Sequence, residues 1–269
     1  MRTALIVEGS ISYGSTRHGD PLTNVWQMLC RDYAGVDEFD LVVGLSKDQL
    51  VAMQPGSSTL STMREPFDVY LERLIRQHGI EAAVVAWDLK PAWSVETESC
   101  RWRETLELYA GLARSDALPQ AWRDRAASRL AELEGRAVPA ARAQLPSLSP
   151  ATVLPLCMDV MFESLLTDER IVRDALGLRG QRVPGWPSGW SANHSSPDKE
   201  LLAPATTAVR RLKPRHPAAR AVRRDWFAGK NDWAEYILRQ ARERPEHREA
   251  LAAHPVVRRL REVGPVAAT

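Results

Sequence analysis

The stretch that decides the fold is Arg2–Gly9, which reads RTALIVEG. Its centre, Ala4–Val7, is a short apolar run that ends at a carboxylate followed by glycine. A short run without polar alternation is typical of a parallel strand that is buried on both faces. The stretch therefore predicts a buried parallel strand that carries Glu8 to the sheet edge where ligands of open parallel sheets bind.

Further apolar runs predict the neighbouring strands and the helices between them. The predicted strands are Phe39–Leu45, Glu81–Trp87 and Thr152–Met158, and the first predicted helices are Pro21–Tyr33 and Pro66–His78. Strands that alternate with amphipathic helices favour an α/β protein with a mostly parallel, Rossmannoid central sheet.

The pattern also divides the chain into three regions. Residues 1–95 and 151–178 are predicted to form the α/β core, in which 159–176 is one helix after the fourth strand. Residues 96–150 are predicted to form a helical insertion, with a break near Pro119, followed by a linker. Residues 179–269 are predicted to form a loop followed by a basic helical C-terminal region.

Composition limits the class of protein. The chain has 269 residues, 44% hydrophobic and 26% charged, which allows a sizeable buried core. Its net charge of +2 requires any nucleic-acid surface to come from local clusters. Cys30, Cys100 and Cys157 lack metal-ligand spacing and are predicted to be reduced thiols of a cytoplasmic protein. No apolar run predicts a signal peptide, a membrane span or a membrane partner.

Acidic residues after the predicted strands are the main functional signal. Glu8 ends the first strand, Asp88 follows the third, and Asp159 and Glu163 share one face of the helix predicted after the fourth. Converging carboxylates repel unless a cation lies between them, and Mg²⁺ or Mn²⁺ suits such oxygen ligands. The alternatives are structural carboxylates at Glu8 and Asp88 and a solvated helix face at Glu163 and Asp159.

Basic residues form a second group of candidates, predicted to contact phosphate. Arg17 lies in the loop after the first strand and Lys47 lies after the second. The C-terminal region adds Arg210, Arg211, Lys213, Arg215, Arg223 and Arg224. Neutralised phosphates would make nucleic-acid binding dependent on salt. The alternatives are an exposed loop, a solvated helix or a surface for a protein partner.

Together, Val7-Glu8-Gly9 and Ala86-Trp87-Asp88 resemble the Toprim fold of topoisomerases, DnaG-type primases, OLD-family nucleases and several phage-defence proteins. The Toprim pattern is a glutamate after the first strand and Asp-x-Asp after the third. Residues 161–166, which read MFESLL, are similar to the glutamate-containing helix after the fourth strand of stand-alone, OLD-related Toprim proteins. The resemblance covers 2–90 and 152–176.

The resemblance implies a nuclease that uses Mg²⁺ or Mn²⁺ on DNA or RNA, as an antiviral-defence or toxin-like effector. It implies that Glu8 is a general acid/base or metal ligand and that Asp88 is a metal ligand. Lys90 stands where the pattern has its second aspartate. Either Glu163 or Asp159 supplies the missing oxygen, or Lys90 contacts phosphate, or catalysis has been lost.

Three functions therefore remain open. The first is the metal-dependent nuclease, with nucleic acid as partner. The second is a non-catalytic Toprim-like adaptor or binding subunit of a larger nucleoprotein or defence complex, with an ATPase or sensor subunit or a second copy of the chain as partner. The third, a nucleotide-binding α/β protein, is less favoured because no Gly-x-Gly-x-x-Gly or Walker A run follows a strand.

Overall fold

The chain forms an α/β structure around a parallel sheet of four strands in the order β2-β1-β3-β4. This computed structural model describes residues 1–8, 21–53, 65–88, 102–135, 156–158, 162–178, 180–189, 197–212 and 226–265. The strands are β1 (Thr3–Glu8), β2 (Leu41–Leu45), β3 (Ala82–Asp88) and β4 (Leu156–Met158). Each described pairing is parallel, so the predicted α/β class and parallel sheet are confirmed.

Helices cover both faces of the sheet. They are α1 (Pro21–Met28), α2 (Lys47–Leu50), α3 (Phe67–His78), α4 (Trp102–Arg114), α5 (Gln120–Leu133), α6 (Glu169–Ala175), α7 (Ala203–Arg210), α8 (Trp226–Ala241), α9 (Pro245–Ala252) and α10 (Pro255–Val263). Two π-helical turns, Leu29–Ala34 and Pro197–Leu202, adjoin α1 and α7, and Phe162–Leu166 is a 3₁₀ helix. The predicted break near Pro119 is confirmed, since α5 begins directly after it.

Strand β1 separates two hydrophobic cores. Ala4 and Ile6 belong to the core formed with α3, α4 and α5, whereas Leu5 and Val7 belong to the core formed with α1 and α6–α10. All four side chains are at most 1% exposed. Because a shift of one residue would exchange the two faces, this burial fixes the register of β1 and the position at which Glu8 leaves the sheet.

The prediction of one helix over 159–176 is wrong. Glu163 lies in the 3₁₀ helix, and a new helix, α6, begins after Asp168. The Asp168 carboxylate accepts hydrogen bonds from the backbone N–H groups of Arg170 and Ile171 at 2.8 and 3.4 Å, which caps α6 and separates it from the preceding turn. Asp159 lies outside the described residues, so its predicted place on the same face as Glu163 stays a prediction.

The C-terminal region is joined to the π-helical turn after α1 by polar contacts as well as by the shared core. The Tyr33 hydroxyl donates to the Leu238 carbonyl at 2.5 Å. Arg242 forms an ion pair with Asp32 at 3.1 Å, and Arg261 donates to the Ala34 carbonyl at 3.1 Å. These contacts connect residues more than 200 positions apart in the chain, so the C-terminal region packs as part of the α/β core.

His254 joins α10 to the 3₁₀ helix after β4. Its Nδ1 accepts from the Val256 backbone N–H at 3.3 Å, and its Nε2 lies 3.2 Å from the Ser164 hydroxyl oxygen. Because Nδ1 is an acceptor, the neutral ring carries its proton on Nε2 and donates it to Ser164. Burial, and to a smaller extent the positive charge of Arg258, lowers the pKa of His254 to about 4.

We expect this histidine to make folding stability fall in acid. Its folded pKa lies below its unfolded value, so its contribution is complete above about pH 6.5 and is lost between about pH 6.5 and 4. The loss should approach about 3 kcal/mol and should be absent in His254→Asn, because asparagine can cap α10 without taking up a proton. Urea denaturation at several pH values measures it, and parallel losses in the two proteins would contradict the assignment.

Candidate functional site

The sheet order places Glu8 and Asp88 at the ends of neighbouring strands. Val7 pairs with Ala86 in the register of β1 and β3. The chain leaves β1 towards β2 on one side and leaves β3 towards β4 on the other, so the strand order reverses between them. Open α/β sheets bind ligands outside the carboxyl ends of their strands at such a switch point. Neighbouring strands lie about 4.8 Å apart, which brings the backbones of these two positions close together.

A β-bulge lies directly before Asp88. Val85 pairs with Leu156 and Asp88 pairs with Met158, so β3 advances by three residues while β4 advances by two. A bulge bends its strand and interrupts the alternation of the two faces. The orientation of the backbone at Asp88 is therefore set by this irregularity. Such bulges are enriched beside active sites, where they redirect a residue from the sheet.

Among the basic candidates, Lys47 is the first residue of α2 and follows the carboxyl end of β2. Arg210 and Arg211 lie at the end of α7, and both are exposed. The other predicted site residues lie outside the described part of the chain. They are Arg17, Lys90, Asp159, Lys213, Arg215, Arg223 and Arg224. Their roles stay predictions.

Glu163 is nearly buried and is paired with a lysine from the C-terminal region. Its side chain is 6% exposed, and its Oε1 accepts from the Lys230 ammonium at 3.1 Å. Lys230 lies on α8, and its own side chain is 33% exposed. The predicted alternative that Glu163 lies on a solvated helix face is therefore wrong. The assignment of Glu163 as a metal ligand stays a prediction. The Lys230 ammonium already contacts the same carboxylate.

Asp198 is the second acid of this cluster. Its Oδ1 accepts from the Trp226 indole N–H at 2.6 Å. Burial and then the negative charge of Glu163 raise the pKa of Asp198, while the Lys230 charge and the Trp226 hydrogen bond act in the opposite direction. We call Glu163, Asp198, Trp226 and Lys230 the acid–lysine cluster. No local spacing in the sequence connects Asp198, Trp226 or Lys230 to Glu163, so sequence patterns do not predict this cluster.

The neighbouring pair Ser164 and His254 is not arranged as a nucleophile and its base. A general base needs a free lone pair on the ring nitrogen that faces the hydroxyl. Here the lone pair of the neutral ring faces the Val256 N–H, and the nitrogen that faces Ser164 carries the proton. The contact is therefore a structural connection between the 3₁₀ helix and α10.

Within the residues that the structure describes, no group of three or more histidine, cysteine, aspartate or glutamate side chains is placed to hold a metal ion. Comparisons with protein-family models, characterised proteins and solved structures find no match to this chain. The likeness to Toprim proteins therefore depends on the motifs of the chain alone. No helix in the described ranges is long and apolar enough to span a membrane.

We expect the indole–carboxylate contact to be measurable in stability. Trp226→Phe removes the N–H that Asp198 accepts, and hydrogen bonds to carboxylates contribute about 1–3 kcal/mol. In an Asp198→Asn background the same replacement should lower the free energy of unfolding by a smaller amount. A double-mutant cycle therefore isolates the interaction of Trp226 with Asp198. Asp116→Asn, at a side chain that is 99% exposed, serves as the control background. Equal costs in all backgrounds, measured by urea denaturation, would contradict the coupling.

Proposed function

We propose that this chain is a divalent-metal-dependent nuclease that hydrolyses phosphodiesters of DNA or RNA. The observation that carries the proposal is the placement of Glu8 and Asp88 at the ends of neighbouring parallel strands, at the switch point of the sheet. Ligands of open α/β sheets bind at that place, and carboxylates are the oxygen donors that Mg²⁺ and Mn²⁺ take. The resemblance of both strand ends to Toprim motifs supports the same chemistry.

In this proposal the chain's own residues have separate tasks. Glu8, Asp88, Glu163 and Asp159 hold the cation, and Glu8 also serves as general acid/base. When bound, Mg²⁺ or Mn²⁺ lowers the pKa of a coordinated water and offsets charge on the phosphodiester. Lys47 and Lys90 bind phosphate near the sheet edge, and the basic stretch of 210–224 binds the nucleic-acid backbone. A role in antiviral defence, or as a toxin-like effector, rests on the Toprim resemblance.

Two observations favour a second candidate, a non-catalytic adaptor in a larger nucleoprotein or defence complex. Glu163 already has a cationic partner in Lys230. In addition, Lys90 stands where the Toprim pattern has an aspartate. Two lysines at or beside predicted ligand positions would weaken a metal site by charge repulsion. In that case the same edge would bind a nucleic acid or a protein partner, such as an ATPase or sensor subunit or a second copy of the chain, without cutting.

The nuclease proposal predicts that Glu8→Gln and Asp88→Asn each lower cleavage of plasmid DNA or RNA by more than about 100-fold. The reason is that each change removes a carboxylate from the cation while keeping the size of the side chain. The assay compares Mg²⁺, Mn²⁺ and a chelator. The matched controls are Glu132→Gln and Asp116→Asn, whose side chains are 48% and 99% exposed.

The two candidates give different results in this assay. Metal-dependent cleavage that disappears in both site variants and persists in both controls supports the nuclease. Wild-type protein that binds nucleic acid in a salt-sensitive way but never cuts supports the adaptor. Cleavage that is unchanged in Glu8→Gln and Asp88→Asn would contradict the assignment of this edge.

A separate prediction concerns Arg210 and Arg211. If both contact phosphates, the double alanine variant should bind nucleic acid more weakly at every sequence. The slope of log affinity against log salt should become shallower by about 1.8 for duplex DNA, because each contact contributes about 0.9. Fluorescence anisotropy at several salt concentrations measures the slope. The control is a double alanine variant of Arg76 and Arg103, whose side chains are 69% and 88% exposed. This control should change the slope less.

A further inference from the structure

We infer that Trp186 and Arg211 form a binding site for single-stranded nucleic acid, in which a base stacks on the indole ring and the adjoining phosphate contacts the guanidinium. Trp186 lies in the loop 180–189, and Arg211 is the residue that caps the C-terminal end of α7. The inference rests on the proposed function for the class of partner. It adds a stacking residue and names the strand form that the site takes.

A tight turn fixes the backbone at Trp186. The turn reads Val183-Pro184-Gly185-Trp186, and the Trp186 backbone N–H donates to the Val183 carbonyl at 3.0 Å. Gly185 has a φ of 75°. Proline followed by glycine with a positive φ is typical of the two central positions of a type II turn. The local sequence therefore determines the direction in which the chain presents Trp186.

Arg182 holds the loop on both sides of this turn. Its guanidinium donates to both carboxylate oxygens of Glu169 at 3.2 Å and to the Ser188 hydroxyl at 2.8 Å. Glu169 also accepts from the Val183 backbone N–H at 3.1 Å. Because Glu169 neutralises Arg182, we assign this arginine to positioning of the loop. An aromatic side chain on a loop that is already held loses little conformational entropy when a ligand binds.

Gly185 brings the turn into direct contact with α7. A Cβ atom at this position would lie 2.7 Å from the Pro204 carbonyl oxygen and 2.9 Å from the Ala208 Cβ atom, so the approach requires glycine. Pro204, Ala208 and Arg211 follow one another at spacings of four and three residues, which places them on one side of the helix. The Arg211 backbone N–H donates to the Ala208 carbonyl at 3.1 Å, so the helical turn extends to Arg211. The turn before Trp186 and Arg211 therefore lie on the same side of α7.

The two side chains match the two parts of a nucleotide. Trp186 packs against the hydrophobic core but is only partly buried, so some of its surface stays accessible. Arg211 and its neighbour Arg210 are exposed, and α7 contains no acidic residue. Among the described residues, no carboxylate forms an ion pair with either arginine. A flat apolar ring near an unneutralised guanidinium suits a base that is joined to a phosphate.

Stacking determines which form of nucleic acid the site takes. In a duplex the faces of each base are covered by the neighbouring base pairs, whereas an unpaired base can stack on an aromatic side chain. Every base has a π-face, so such stacking tolerates any sequence. The site therefore favours single strands over duplexes, and its chemistry is shared by DNA and RNA.

Fluorescence anisotropy of the full chain with labelled oligo(dT), oligo(U) and a DNA duplex tests the site, with a chelator present so that nothing is cut. Trp186→Leu keeps an apolar side chain without the ring and should weaken single-strand binding by at least about fivefold. Trp186→Tyr keeps an aromatic face and should stay within about threefold of wild type. Tyr236→Leu, at another partly buried aromatic residue of the same core, is the matched control and should leave the affinity unchanged.

Salt dependence separates the stacking contact from the phosphate contact. Trp186→Leu should keep the slope of log affinity against log salt, whereas Arg211→Ala should make it shallower by about 0.7 on a single strand. A loss in Trp186→Leu with either oligonucleotide, larger than the loss with the duplex, supports the site and shows whether it takes DNA, RNA or both. Single-strand affinity that is unchanged in Trp186→Leu, or that falls only as much as duplex affinity, would overturn the inference.

A measurement on wild-type protein covers the case in which the Trp186 variants do not fold. Oligonucleotides that contain 4-thiothymidine or 4-thiouridine are cross-linked to the chain by light, and peptide mass spectrometry locates the attached residues. Cross-links should form at Trp186. Cross-links found only outside the loop 180–189, or wild-type protein that binds neither oligonucleotide, would overturn the site.

These results separate the inference from the proposed function. If Trp186→Leu loses single-strand affinity but no cleavage depends on Glu8, the stacking site stands and the nuclease proposal fails. If cleavage depends on Glu8 and Asp88 but Trp186→Leu binds single strands like wild type, the nuclease proposal stands and the stacking site is wrong.

Discussion

The burial of β1 on both faces is the constraint on which the rest of the structure depends. Leu5 and Ile6 point into different cores, and each fully buried aliphatic side chain contributes about 1.5–3 kcal/mol. A slip of one residue would reverse both faces at once, so neighbouring strands have one register with β1. The same constraint determines where Glu8 ends the strand and which position of β3 lies beside it.

The second core extends this constraint to the C-terminal region. It contains Val7 of the central strand together with Trp233 and Leu260, so helices α8 and α10 bury the face of the sheet opposite to α3. The packing of these helices against the sheet buries some polar side chains together with the apolar ones. Glu163 and Asp198 are tolerated there because Lys230 and Trp226 supply a charge and an N–H to them. The acid–lysine cluster is thus a consequence of packing the C-terminal helices against this face of the sheet.

Sequence patterns were sufficient to predict strands and helices whose apolar residues recur at regular local spacing. They were insufficient to predict contacts between residues that are far apart in the chain. The apolar runs of β1 to β3 and the periodicity of Phe67–His78 predicted strands and a helix that the structure contains. The single helix predicted over 159–176 was wrong because the Asp168 cap was not recognised. The pairing of Glu163 with Lys230 joins positions 67 residues apart, and periodicity carries no information at that separation. That the strands carrying Glu8 and Asp88 end at the same edge followed from one rule, that parallel strands share the direction in which they end.

The acid–lysine cluster also changes how the two candidate functions should be weighed. A lysine beside a predicted ligand is evidence against catalysis only if it is fixed there. Lys230 is one-third exposed and follows an interruption of α8, whereas the acid that it neutralises is nearly buried. In this pair the carboxylate is enclosed by the fold, and the ammonium is the more accessible of the two charged groups. The lysine is therefore compatible with both candidates, and the carboxylates at the ends of β1 and β3 remain the features that distinguish them.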